Sequence, residues 1–502
     1  MIQILDTTLR DGEQTSGVSF ASSEKLHIAR ILIEDLNVDR IEIASAKVSE
    51  GEFETVKRIT TWAKANNYID KIEVLGFVDG ETSLNWIQQA GGKVMNLLCK
   101  GSLKHCTEQL RKTPEQHLEN IITILEKAKE KNITINIYLE DWSNGMLSSP
   151  DYVFFLMDNL KDLNIKRFLL PDTLGILNPI NTEKFCKEMI NRYPEVQFDF
   201  HAHNDYDLAI GNVLSAAHAG ITGIHTTING LGERAGNASL ASVVAVLHDQ
   251  LNLKTNIKED NLNRVSRIVG SYSGIRIPSN KPIIGESVFT QCAGVHADGD
   301  NKNNLYYNDL LPERFGRARE YALGKTSGKS NIKKNLETMG IELDEDSMIK
   351  LTERIIELGD KKEIVTQDDL PYIISDILQT NKDDKIKLKN YCLSLAYGLR
   401  PTATVCIEID GKEYEHTAPG DGQYHAFSKA LWKIYNNLGK SKPTLKDYNV
   451  TIPTGGRTDA LVQTTIIWRF KGKNIKTRGL DIDQISAAIK ATIRMLNIIE
   501  NM

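Results

Sequence analysis

The chain has 502 residues, 41% of them apolar and 25% charged, and carries a formal net charge of −5. That length calls for two or three domains, and the slightly acidic balance gives no reason to expect nucleic acid as a partner. No window reaches the roughly 18–20 apolar residues of a membrane-spanning helix, so no membrane association is expected.

The start, MIQILDTTLRDG, lacks the basic stretch and apolar run of a signal peptide. The six cysteines (Cys99, Cys106, Cys186, Cys292, Cys392, Cys406) form no CxxC pair. That usage suits a reducing cytosol, and a cytoplasmic protein is expected.

Through residue 255, short β-branched runs alternate with amphipathic segments. The runs are IQILDTT (2–8), RIEIAS (40–45), KIEVLGFV (71–78), KVMNLLC (93–99), ITINIYLE (133–140), RFLLPDT (167–173), VQFDFHAH (196–203) and GIHTTING (223–230). Between them lie helical patterns such as SSEKLHIARILIEDL and PEQHLENIITILEKAKEK. In the second, Leu118, Ile121, Ile122 and Leu125 recur at i, i+3, i+4 and i+7, and Ala128 extends the stripe. Eight strand–helix units in about 250 residues predict a closed (β/α)8 TIM barrel over 1–255. A doubly wound open sheet is the rival, but no glycine-rich nucleotide fingerprint follows the first strand.

Residues 256–385 lose the alternation and read as helical linker subdomains around GESVFTQCAGVHADGD (285–300). From 386 to 502 the pattern changes again. LKNYCLSLAYG, TATVCIEID and KEYEHTA read as strands, and DGQYHAFSKALWKIYNNL as a helix. The order recurs in LKDYNVTIP, DALVQTTIIWRF, KNIKTRG and DIDQISAAIKATIRMLNII, which predicts an α+β domain of duplicated βββα units.

Barrel enzymes place their chemistry at the C-terminal ends of the strands. Here those ends carry Arg10-Asp11, Glu140, Asp172-Thr173 and His201-Ala-His203, with Glu233, Arg234 and Asn237 after the eighth strand. His201 and His203 share a face because strand side chains alternate. With Asp11 and Asn237 they form a mixed N/O set suited to a divalent ion, leaving two positions open for a chelating substrate. Mg²⁺, Mn²⁺ and Zn²⁺ all fit such donors. Arg10 suits polarisation of a carbonyl, or else makes a rim salt bridge. Glu140 is a general acid or base, or else a structural hydrogen-bonding group. Thr173 either donates to a substrate carboxylate or caps its strand.

The segments LDTTLRDGEQTSG (5–17), HAHNDYDLAIGN (201–212) and GLGERAGNASL (230–240) resemble the isopropylmalate, citramalate and homocitrate synthases, and the likeness runs over essentially the entire chain. The resemblance implies a metal set of Asp11, His201, His203 and Asn237, with Arg10 and Thr173 holding a 2-keto acid. It also implies catalytic roles for Glu140, for His296 in GVHADG and for Tyr306, with acetyl-CoA as co-substrate. A homodimer follows in which one linker reaches over the partner's barrel. The C-terminal domain is then regulatory and takes an end-product amino acid, with Tyr424 and Thr458 as candidate effector contacts.

Two departures stand out: no proline precedes Gly17, and Asp207 stands where relatives usually have glycine. Leu75, Leu98 and Tyr138 are expected to line the keto-acid pocket, with Tyr138 two residues before Glu140 on the same strand face. Relatives that take larger substrates usually have serine at position 138, so a tyrosine implies pyruvate, with (R)-citramalate as product on an isoleucine route inhibited by isoleucine. The alternative is 2-ketoisovalerate and the 2-isopropylmalate reaction of a leucine route. A metal-dependent aldolase or lyase and a non-catalytic amino-acid sensor are the rival classes; the duplicated tail counts against the first and the intact ligand set against the second.

Overall fold

In a computed structural model of the chain, the described residues are 1–292, 299, 305, 308–360, 365, 370, 373–374, 385–451, 462–481 and 483–502. They divide into two compact units, Met1–Thr290 with Asn303–Glu320, and Gln291–Lys302 with Tyr321–Met502.

The first unit holds a closed eight-stranded barrel in sequential order. Its strands are β1 (Gln3–Asp6), β2 (Arg40–Ser45), β3 (Ile72–Phe77), β4 (Val94–Lys100), β5 (Thr134–Glu140), β6 (Ile165–Asp172), β7 (Phe198–Ala202) and β8 (Gly223–Thr226). Neighbouring strands are all parallel, and β1 closes on β8. This is the TIM barrel the alternation predicts. Its apolar core lies between strands and surrounding helices, where Ile41, Ile43, Val74, Leu97, Ile137 and Leu170 are sealed from water.

The helix Pro114–Glu130 shows the local logic. Thr113 caps it in a reciprocal box with Gln116, and proline occupies its first turn. Its innermost stripe is His117, Ile121, Ile124 and Ala128, while Leu118, Ile122 and Leu125 pack at the margin. The predicted stripe is thus rotated, because a buried histidine leads it. SSEKLHIARILIEDL is also not one α-helix: it runs as α-helix over Ser22–Arg30 and continues as a π-turn over Ile31–Asp35.

Asp207 sits at φ +58° and accepts a hydrogen bond from Asn204 Nδ2 at 3.1 Å. Left-handed backbone is easiest for glycine and next easiest for Asn or Asp. Asp207 is therefore an exposed turn residue whose side chain ties back to Asn204.

The second unit contains helices Lys329–Met339 and Glu345–Asp360 around Ile332, Leu336, Leu351 and Ile355. It then holds two three-stranded antiparallel sheets, Ile386–Ser394, Thr402–Ile409 and Lys412–Pro419, and Thr444–Thr451, Val462–Phe470 and Lys473–Asp481. Helices Gln423–Asn437 and Gln484–Glu500 follow the first and second sheets. Phe427, Leu431, Trp468, Ile489 and Met495 belong to one shared core. The duplicated βββα order is present. Among the described residues no helix is long and apolar enough to cross a membrane.

Candidate active site

Asp11 follows β1, His201 lies on β7 and His203 lies one residue beyond its end, where it bridges Asn237 in an antiparallel pair. The pair sets Asn237 beside His203 although 34 positions separate them in the sequence. Asp11 Oδ2 lies 3.2 Å from His201 Nε2 and 3.7 Å from His203 Nε2, and the two imidazole nitrogens are 3.3 Å apart. All three ligand atoms lie within 4.8 Å of one another, and all three residues are buried.

Burial pushes both imidazoles down to about 4, despite the nearby Asp11 carboxylate. For Asp11 burial acts upward, but Arg10 and the two histidines outweigh it and hold the carboxyl well below its usual range. Neutral imidazoles and an ionised carboxylate are the protonation states that bind a cation. Asn237 Oδ1 is buried and has no hydrogen-bond partner among the described residues, while its Nδ2 donates to the Leu231 carbonyl at 3.1 Å. These donors fit a divalent ion, and an orphaned amide oxygen is what such an ion would satisfy. Gly232, at φ +156°, is required here: a Cβ would fall 2.1 Å from Asn237 Nδ2.

Arg10 is the hinge of the site. It donates to Glu42 at 2.5 Å, to Asp11 at 3.1 Å and to the Tyr138 hydroxyl at 3.3 Å. Glu42 in turn accepts from Asn96 Nδ2 at 2.7 Å. Tyr138 is 2% exposed and packs with Leu75 and Leu169, with Leu98 partly buried at the edge. Leu98, Tyr138 and Leu169 are register neighbours on β4, β5 and β6. The three predicted pocket residues therefore come together, and Leu169 joins them. Tyr138 also bonds His225 Nδ1 at 2.8 Å, and its ring meets His201 and His225 edge-on.

Glu140 ends β5 and is ion-paired with Lys100, which ends β4 and is 8% exposed. His117, pushed down to about 4 by burial and then by Lys112 and Lys100, accepts from the Lys100 backbone N–H at 3.1 Å. Thr173 Oγ1 accepts from the Asp141 N–H at 2.9 Å, which leaves its own proton free to donate. Arg234 ties loops together, donating to Asp205 at 2.8 Å and to the Thr173 carbonyl at 2.7 Å.

Glu42, Lys100, His225 and Leu169 were not among the residues read from sequence. All four are on strands; alternation from Leu98 on β4 reaches Lys100 two residues on, whereas β2 and β8 carry no anchor from which to reach Glu42 or His225. His296, Tyr306 and Thr458 lie outside the described residues. Tyr424 is half-buried in the C-terminal core, stacked on Phe427 and bonded to Thr492 Oγ1 at 2.7 Å.

Residues 1–269 match the family described as HMGL-like. The chain belongs to that family. Residues 283–363 match the homocitrate synthase post-HMGL domain-like family and residues 364–500 the LeuA allosteric (dimerisation) domain. A putative (R)-citramalate synthase of Methanopyrus kandleri is 33% identical, covering 99% of this chain and 96% of its own. A probable 2-isopropylmalate synthase of the same organism is 34% identical over 99% and 98% of the two chains. The (R)-citramalate synthase of Methanocaldococcus jannaschii is 34% identical over 100% of both. The chain is thus an enzyme of the acyl-transferring condensation class. The two kinds of synthase stand at nearly equal identity, so likeness alone does not choose the keto acid.

Proposed function

We propose that this enzyme condenses acetyl-CoA with pyruvate and hydrolyses the thioester, releasing (R)-citramalate and CoA. Arg10 carries the assignment: one guanidinium binds both Asp11 and Tyr138, so the ligand cluster and the apolar pocket share a wall. A 2-keto acid held by its polar end at Asp11, His201, His203 and Asn237 would point its side chain at Leu75, Leu98, Tyr138 and Leu169. That pocket is closed by a tyrosine fixed from two sides, which suits a methyl group better than an isopropyl group.

A divalent ion on this set would supply Lewis acidity and charge neutralisation at the keto oxygen. The chain's own residues do the rest. Glu140, oriented by Lys100, receives a proton from the acetyl methyl group. The resulting enolate carbon attacks the keto carbon, and charge developing on the keto oxygen is met by Arg10. The oxygen is then protonated, and water cleaves the thioester to a carboxylate and a free thiol. By resemblance, His296 and Tyr306 contribute from the linker of a partner chain in a homodimer, and Thr173 donates to the keto acid's carboxylate.

We read the division of labour as barrel 1–255, linker 256–385 and regulatory domain 386–502. The match to an allosteric (dimerisation) domain supports the last part and the dimer. Isoleucine is the proposed effector, with Tyr424 and Thr458 as candidate contacts, and the cytoplasm the proposed location. Free-thiol release from acetyl-CoA, measured across a panel of 2-keto acids with a divalent ion present, tests the assignment. Pyruvate should give the highest kcat/KM. A preference for 2-ketoisovalerate would replace the reaction with 2-isopropylmalate synthesis, and release with no keto acid would remove the condensation altogether.

A further inference from the structure

Beneath the site, Asp199 on β7 accepts hydrogen bonds from Arg40, and from His225 Nε2 at 3.3 Å. Arg167 lies 3.5 Å from its other oxygen. Two guanidiniums on one buried carboxylate leave Asp199 an acceptor only. His225 therefore donates through Nε2–H; a second proton on Nδ1 would leave the Tyr138 hydroxyl, which already accepts from Arg10, facing two donors, so Nδ1 carries a lone pair. That lone pair, 2.8 Å from the Tyr138 oxygen, compels the phenol to donate. The remaining phenol lone pair faces Arg10 NH2 at 3.3 Å, which only donates. Each bond has one allowed direction, from Asp199 to the wall of the substrate pocket.

We propose that His225 is the positioning residue for keto-acid size: held by Asp199, it latches Tyr138 across the pocket, so that selectivity for the smallest side chain resides in the Tyr138–His225 contact as well as in the bulk of the ring. Rotating Tyr138 away, as a larger substrate requires, leaves His225 Nδ1 without a donor and Arg10 NH2 without an acceptor, in a region where both residues of the contact are sealed from water. Ring bulk alone would permit that rotation, because the edge-on contacts with His201 and His225 are weak compared with a buried, directional hydrogen bond. The latch also accounts for a histidine buried on β8, whose ring meets His201 edge-on and whose two nitrogens face Tyr138 and Asp199.

The proposal rests on the keto-acid reading above, and its test separates the two. The ratio of kcat/KM for pyruvate to that for 2-ketobutyrate, one carbon longer, is measured in the full-length wild type, His225→Leu, Tyr138→Phe and the double variant. His225→Leu should lower the ratio about 10-fold or more, the scale at which a pocket discriminates a single carbon. Tyr138→Phe should do likewise, and the double variant should fall no further than either. His225→Asn, which keeps an acceptor near the Nδ1 position, should stay close to the wild-type ratio.

An equal loss of kcat/KM for both acids, or effects that multiply in the double variant, would overturn the latch. Urea unfolding of the same four proteins reads the contact without any substrate: non-additive stabilities support it and additive ones refute it. If the wild type turns over no keto acid, the reaction assignment fails, and the unfolding cycle still decides whether Tyr138 and His225 are coupled. Should His225→Leu not fold, the Tyr138→Phe and His225→Asn ratios carry the same decision.

Discussion

Removing divalent cations should lower the melting temperature of the barrel by several degrees. Three donor atoms from two ends of the barrel sequence converge within 4.8 Å, with the buried Asn237 Oδ1 lacking a partner among the described residues. The unfolded chain has no such arrangement, so an ion binds the native state selectively. At a free concentration 100 times Kd that selectivity is worth about 2.7 kcal/mol. In a domain of this size about 1 kcal/mol shifts Tm by some 2 °C, so about 5 °C is expected. The assay is thermal unfolding of chelator-stripped protein, titrated in turn with Mg²⁺, Mn²⁺ and Zn²⁺. His203→Gln is the informative control, because among the described residues its ring meets Asp11 and His201 of the same cluster. It should abolish most of the shift while the stripped protein stays folded. An equal shift in His203→Gln, or none with any ion in the wild type, would sink the ligand assignment.

Three further expectations follow from named groups. Tyr138→Ser should widen acceptance, raising kcat/KM for 2-ketoisovalerate relative to pyruvate by about 10-fold or more per added group accommodated; it should also destabilise the barrel by about 3 kcal/mol through the lost buried ring. An unchanged substrate profile would mean that another residue sets the size limit. His117 is pushed from 6.5 down to about 4 by burial and accepts from the Lys100 N–H, so the unfolded chain binds its proton first. Stability from this group is present above the unfolded value and falls as pH drops from 6.5 towards 4, by about 2 kcal/mol between pH 7 and pH 5. His117→Gln, which keeps an acceptor, should reduce the loss measured by urea titration at the two pH values by about that amount, the buried His201 and His203 supplying the remainder; an unaltered slope would refute it. Isoleucine added to the full-length enzyme should depress CoA release, whereas inhibition by leucine instead would favour the 2-isopropylmalate reaction.

The barrel was legible because its strands are short apolar runs of four to eight residues, bounded by helical patterns that a parallel sheet accommodates. The rim was legible for a related reason: Asp11, Glu140, His201 and His203 interrupt apolar runs at the strand ends where barrel chemistry sits. What escaped lies one layer deeper. Arg40 and Glu42 on β2, Glu73 on β3, Asn96 on β4 and Asp199 on β7 are polar residues inside strands, and all are buried. A sequence reading assigns such positions to solvent, since the pairing that satisfies them crosses the barrel. Arg40 meets Asp199 across 159 positions and Tyr138 meets His225 across 87. The alternation in RIEIAS does place Arg40 and Glu42 on one face, but nothing in one strand says that the face is the barrel interior. Lys100 is hard to read because the apolar run ends at Cys99, one residue short of the position where β4 presents a cation to Glu140.

That interior is costly to build. Desolvating ions costs several kcal/mol each, and apolar residues of similar volume would often be as stable or more so. Arg40, Arg167, Glu73 and Asp199 balance as two cations and two anions, so this four-residue cluster is neutral. An apolar filling would not fix a hydrogen-bond direction, and direction is what the site above needs. With Asp199 ionised and paired, one tautomer of His225 survives, one orientation of the Tyr138 hydroxyl follows, and Arg10 meets an acceptor on each side, Glu42 and Tyr138. Arg10 then has its planar fork fixed toward Asp11 before any substrate arrives. Polar residues under the rim thus exchange some stability for preorganisation of the one cation that both the ligand cluster and the keto-acid pocket share.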